Sequence, residues 1–162
     1  MTSAPGANAS GPVVFGAMWQ EGRLLIENNI IELVLNLYPP GGGFATGILV
    51  SGGSAVSPYV FEQVVIRGNN IRNVDNGFDS SGSPHGIALS SCQTAIIENN
   101  IINLNSSSQT PPYNIWHIQC GPVKYFNNQT PDGRLVQGYN FAAGQSVNEL
   151  TTDVELEMLR RT

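Results

Sequence analysis

Four short segments of this 162-residue chain repeat one pattern, and a repeat of that kind constrains architecture more than any single motif. They are 24–31 (LLIENNII), 64–71 (VVIRGNNI), 95–102 (AIIENNII) and 123–130 (VKYFNNQT). The third position reads Ile26, Ile66, Ile97 and Tyr125, and the eighth reads Ile31, Ile71, Ile102 and Thr130. The sixth is always asparagine (Asn29, Asn69, Asn100, Asn128), returning after 40, 31 and 28 residues. Periods in this range belong to solenoids, propellers or arrays. The segments are β-branched, alternate with period two and are broken by Asn and Gly, which excludes helical repeats.

Each segment reads as strand, corner, strand. The first and third positions face inward, the second faces out, and the eighth faces inward again after the turn. Asparagine suits such a corner because it tolerates the left-handed conformation and bonds locally. Stacked at one corner, the side-chain amides of Asn29, Asn69, Asn100 and Asn128 are expected to bond from coil to coil as a structural ladder. A further strand precedes each segment, at 47–50 (GILV), 86–89 (GIAL) and 114–117 (NIWH), with a poorer version at 16–19 (GAMW). Between the last two complete coils the offset is constant, pairing Ile87 with Ile115 and Cys92 with Cys120. The second coil carries an insertion within 51–61, expected to leave the stack as a loop of the kind that often carries function.

The pattern G-I-x-L followed by v-x-I-x-N-N-x-I, clearest at 86–102, resembles the repeat of the pectate-lyase-like superfamily over residues 13–130. The resemblance implies an all-β, right-handed parallel β-helix of about four coils. The expected domains are a flexible N-terminal tail (1–12), the β-helix (13–140) and a C-terminal helical cap (141–162). Within the cap, Val147, Leu150, Val154 and Met158 recur at helical spacing, and Thr152 with Glu155 fits a capping box. The opening MTSAPGANASG has neither the charged nor the apolar region of a signal peptide, so it reads as a loose tail. An extracellular location follows from the resemblance alone. The superfamily spans lyases, hydrolases, epimerases, phage tailspikes and inactive domains, so the fold implies no particular chemistry.

Charge narrows the choice. Charged residues make up 12% of the chain, net charge is −5, and Arg and Lys are scattered. A nucleic-acid partner would need a clustered basic face and is not expected. No apolar run is long enough to span a membrane. Cys92 and Cys120 are the only cysteines and lack a metal-type spacing with histidine, so no metal or cofactor is expected. They read as stacked thiols inside the coil rather than as a disulfide.

Two sets of site candidates stand out. Asp75, Asp79 and His85 flank one loop, and the likeness to inverting glycoside hydrolases implies a carboxylate pair with a histidine. The sequence departs from that pattern: His85 stands in P-H-G and the basic R-x-K segment is missing, so turn-forming aspartates are the plainer reading. For a lyase, Arg67 and Arg72 lie near Asp75, but carboxylates for calcium are too few. The second set is Trp116, in the outward slot of Ala88, with Tyr113 and Lys124 near it. An exposed indole on a flat sheet is a stacking platform for a sugar ring; the competing reading has a loop or subunit covering it. His117, in the inward slot of Leu89, is expected to be a core histidine with a satisfied hydrogen bond, and Tyr125 a core residue.

The expected function is a non-catalytic β-helix module, structural or carbohydrate-binding, with polysaccharide as partner. The alternative is a polysaccharide lyase or glycoside hydrolase, or the remnant of one. Poverty of charge favours the first, because a catalytic cleft needs convergent titratable groups. The first coil has no visible cap, so a homo-oligomer formed through it, or a place within a longer β-helix, is also expected.

Overall fold

The computed structural model describes residues 9–11, 13–16, 20–36, 44–52, 60–76, 82–105, 112–136, 138–140 and 145–147. Every regular element among them is a strand. The first passage of chain supplies β1 (Ala9–Ser10), β2 (Val13–Gly16), β3 (Gln20–Glu27) and β4 (Ile30–Leu35). The second supplies β5 (Ala45–Gly52), β6 (Phe61–Arg67) and β7 (Asn70–Asp75), and the third β8 (His85–Ser90), β9 (Cys92–Glu98) and β10 (Ile101–Leu104). Then come β11 (Tyr113–Ile118), β12 (Val123–Phe126), β13 (Gly138–Asn140) and β14 (Gln145–Val147).

These strands sort into three sheets, one per side of the coil. The first runs β1–β5–β8–β11–β13–β14, with β2 also on β5; the second runs β3–β6–β9–β12; the third runs β4–β7–β10. All pairings between them are parallel except β13 with β14. The second and third passages each add one strand to each sheet, an arrangement consistent with a parallel β-helix-like solenoid. The alternation read from sequence fills its interior. Ile66, Ile71, Ile87, Ile97, Ile102 and Ile115 are wholly buried in one apolar cluster, each contributing about 2 kcal/mol by burial.

The corner between the second and third sheets shows why two adjacent polar residues recur there. The first of the pair takes the left-handed conformation, with φ of 56° at Asn28, 54° at Asn99 and 52° at Asn127. In the second coil this position is Gly68, where an added Cβ would stand 2.6 Å from Asn28 Oδ1. The second residue turns inward. Asn29, Asn69 and Asn100 each donate Nδ2 to the Oδ1 of the next asparagine, at 2.9, 3.0 and 2.8 Å. The same three donate their backbone N–H to that oxygen, at 3.0, 3.0 and 3.2 Å. Asn69, Asn100 and Asn128 are fully buried, and their Nδ2 groups also reach the carbonyls of Ile26, Ile66 and Ile97. A second, shorter ladder closes the third sheet: buried Asn36 donates Nδ2 to Asn76 Oδ1 at 3.1 Å. The spacing of 40 that located Asn69 from Asn29 also links Asn36 to Asn76.

The glycine near the start of β5 and of β8, Gly47 and Gly86, has a steric cause. A Cβ on Gly86 would lie 2.5 Å from both the Asn114 carbonyl oxygen and Ile102 Cγ2. In the first coil this role falls to Gly11, whose added Cβ would strike the Gly47 carbonyl and Ile31 Cγ2. The alignment expected at 16–19 is therefore displaced. Ala9 and Ser10 pair with Ala45 and Thr46, whereas Gly16 pairs with Gly52.

The two ends of the stack differ. At the C-terminal end β13 adds to β11, β14 folds back antiparallel on β13, and Gln129 bridges to Ile101 and Leu135. The helix expected over 147–161 is not among the described elements: Val147 ends a strand, and 148–162 lies outside the described residues. At the N-terminal end Ala9–Ser10, within the expected tail, is already strand β1. There β3 and β4 are edge strands among the described residues, and Ile30 and Leu33 on β4 are 76% and 53% exposed.

Candidate functional site: an aromatic groove on the first sheet

The outer face of the first sheet carries a groove of about 550 Å3. Register builds it. Thr46, His85 and Tyr113 lie side by side on β5, β8 and β11, and Leu49, Ala88, Trp116 and Tyr139 form the next outward row. Ala88 is small, so the neighbouring Trp116 ring stands above a shallow floor. The Phe44 and Trp116 rings both stack on the His85 imidazole, at centroid distances of 5.3 and 5.4 Å and interplanar angles of 23°. Tyr113 approaches the same imidazole at 5.9 Å and stacks on Tyr139 at 4.7 Å. Hydroxyls line the opposite side, where Ser90 Oγ donates to Ser51 Oγ at 3.2 Å, and Gln119 adds an amide.

Charge is missing from the described lining, which holds no Asp, Glu, Lys or Arg. His85 is buried by the flanking rings, and that loss of water lowers its pKa to about 4. The imidazole is therefore neutral near pH 7 and behaves as one more flat ring in the stack. A face of flat rings rimmed by hydroxyls and an amide suits a neutral ligand with apolar C–H faces and hydroxyl edges.

The sequence candidates divide over this geometry. Trp116, Tyr113 and His85 converge in the groove, His85 as an aromatic neighbour of the other two. Lys124 stands on β12 in the second sheet, opposite Ile96, and is not part of the lining. Asp75 closes β7 in the third sheet, opposite Leu35, and does not line the groove with His85. Asp79 lies outside the described residues. Arg67 projects from the second sheet into an ion pair with Glu27 at 2.7 Å. Phe44 and Tyr139 escaped the sequence reading. The first precedes its strand, and the second follows a stretch where the repeat fades.

The corner between the first and second sheets holds the interior's unusual chemistry. Cys92 and Cys120 stack one coil apart, where the Gly121 N–H donates to the Cys92 carbonyl at 2.9 Å. Cys92 is fully buried and Cys120 half-buried. Contact between the two thiols raises the pKa of Cys92 and lowers that of Cys120, and the nearby His117 ring lowers Cys120 further. His117 and Tyr125 are core residues as expected, their rings 5.9 Å apart. The hydrogen bond expected for His117 is absent: neither ring nitrogen has a partner, nor does the Tyr125 hydroxyl. The inward slot of His117 is filled by Leu89 in the adjoining coil, which offers no side-chain acceptor.

Compared with protein-family models, with curated proteins and with solved structures, the chain finds no match in any of the three.

Proposed function

We propose that the chain is a right-handed parallel β-helix module, of the pectate-lyase-like kind, that binds a neutral polysaccharide along the outer face of its first sheet. The observation that carries this reading is the stack of Phe44, His85 and Trp116 beside Tyr113 in an uncharged groove. Aromatic faces receive the C–H faces of successive sugar rings, while Ser51, Ser90 and Gln119 orient the hydroxyls. The described lining supplies no carboxylate pair for glycoside hydrolysis, which favours binding over turnover. Titration calorimetry against a panel of neutral gluco-, manno- and galacto-oligosaccharides tests it. Trp116→Ala should weaken binding by about tenfold or more, roughly the loss of one good aromatic contact, and Lys124→Ala should leave it unchanged. Failure of the unmodified chain to bind any of them, or binding indifferent to Trp116→Ala, overturns the reading. Release of reducing or unsaturated ends from these polymers, or from pectin and alginate, would favour the enzyme instead.

A second reading, association of copies through the first coil, is favoured by the exposed Ile30 and Leu33 on the edge strand β4. Sedimentation equilibrium at micromolar concentration should show an oligomer that Ile30→Glu weakens; a monomer would end this reading.

A further inference from the structure

We infer that Cys92 and Cys120 form a hydroperoxide-responsive thiol pair, in which Cys120 is oxidised and Cys92 resolves it to a disulfide joining the third coil to the fourth. Three observations place this chemistry here. First, the residues occupy equivalent positions in adjacent parallel coils, fixed by the register of Val123 on Ala95 and by the Gly121 to Cys92 backbone bond. Adjacent strands lie about 4.8 Å apart, inside the range of about 4.4–6.8 Å over which a disulfide spans two Cα atoms. Second, exposure differs within the pair: Cys92 is sealed in the core, whereas Cys120 retains partial access to solvent. Third, the surroundings are polar without being satisfied. His117 is 4% exposed and both its ring nitrogens lack partners, as does the hydroxyl of Tyr125. An interior of isoleucines strands such groups only at a cost.

The asymmetry assigns the roles. Contact with Cys92 and the His117 ring favours the thiolate at Cys120, and the thiolate is the nucleophile. Its sulfur attacks one oxygen of the hydroperoxide; the S–O bond forms as the O–O bond breaks, and the departing oxygen takes a proton and leaves as water or alcohol. Cys120 is now a sulfenic acid, oxidised by two electrons. The Cys92 sulfur then attacks Cys120 sulfur, the S–S bond forms, the S–O bond breaks, and the hydroxide leaves as water with the Cys92 proton. Two thiols and one hydroperoxide yield one disulfide, one water and either a second water or one alcohol.

The test uses the whole chain and hydrogen peroxide. Brief treatment of the reduced protein should remove both free thiols, lower the mass by two hydrogens and give a peptide map with Cys92 linked to Cys120 in one chain. Dithiothreitol should restore both thiols. The linked form should melt about 5–10 °C higher, because the bridge closes a loop in the unfolded chain. In Cys92→Ser the reaction should stop at a sulfenic acid on Cys120, trapped by dimedone. In Cys120→Ser, Cys92 should remain a free thiol under the same treatment. Retention of both thiols in the unmodified chain overturns the inference. So does a bridge between two chains, or oxidation of Cys120 no faster than that of glutathione.

Discussion

Two corners of the same stack treat buried polarity in opposite ways. At the asparagine corner each coil supplies both a donor and an acceptor in register, so Asn69, Asn100 and Asn128 are buried at almost no net polar cost. At the cysteine corner the polar side chains of His117 and Tyr125 enter a single coil, facing Leu89 and Ile97 in the coil beside it, and no partner answers them. Periodicity, more than polarity, decides what a solenoid core accepts. A polar group repeated in every coil becomes part of the framework, and one introduced once remains a defect. The defect lies beside the sulfur proposed to be reactive.

Three substitutions grade this contrast. The largest effect is expected for Asn100→Leu. It would leave the Asn69 backbone N–H without its acceptor, remove the side-chain donor to the Ile66 carbonyl and take one bond each from Asn69 Nδ2 and Asn128 Oδ1, costing about 3–5 kcal/mol of stability in urea unfolding. A smaller loss, about 1 kcal/mol, is expected for Asn29→Leu, because the half-buried end of the ladder can rehydrate. The opposite sign is expected at the other corner. His117→Leu restores the residue that Leu89 sets in that row and removes two unpaired nitrogens, and should stabilise by about 1–2 kcal/mol. Equal losses from Asn100→Leu and Asn29→Leu would show that the ladder does not act as a buried network. A destabilised His117→Leu would show that the imidazole has a partner the static structure does not display.

Much of the framework was legible because it repeats. Ile26, Ile66 and Ile97 alternate within strands, and Asn29, Asn69, Asn100 and Asn128 mark one corner, so local rules of side-chain direction suffice to place them. The second ladder went unread in the sequence, although Asn36 and Asn76 share the 40-residue spacing of Asn29 and Asn69. The first coil was misaligned because both Gly11 and Gly16 could open a strand, and only the close approach of the Gly47 carbonyl separates them. The groove was half legible. Trp116 could be placed outward from its register with Ala88, but Lys124 was joined to it by parity alone, without regard to which sheet it occupies.

The sequence by itself determined the coil: its three-sided strand pattern, its inward rows and its asparagine corner all follow from residue types recurring at fixed positions. The tertiary structure decided the site. Phe44, His85 and Trp116 belong to different coils at unequal separations, and only the stacking of β5, β8 and β11 brings their rings together. It also decided that His117 would go unpaired. Whether a buried nitrogen finds an acceptor depends on what the neighbouring coil places across from it, a contact between residues distant in the chain.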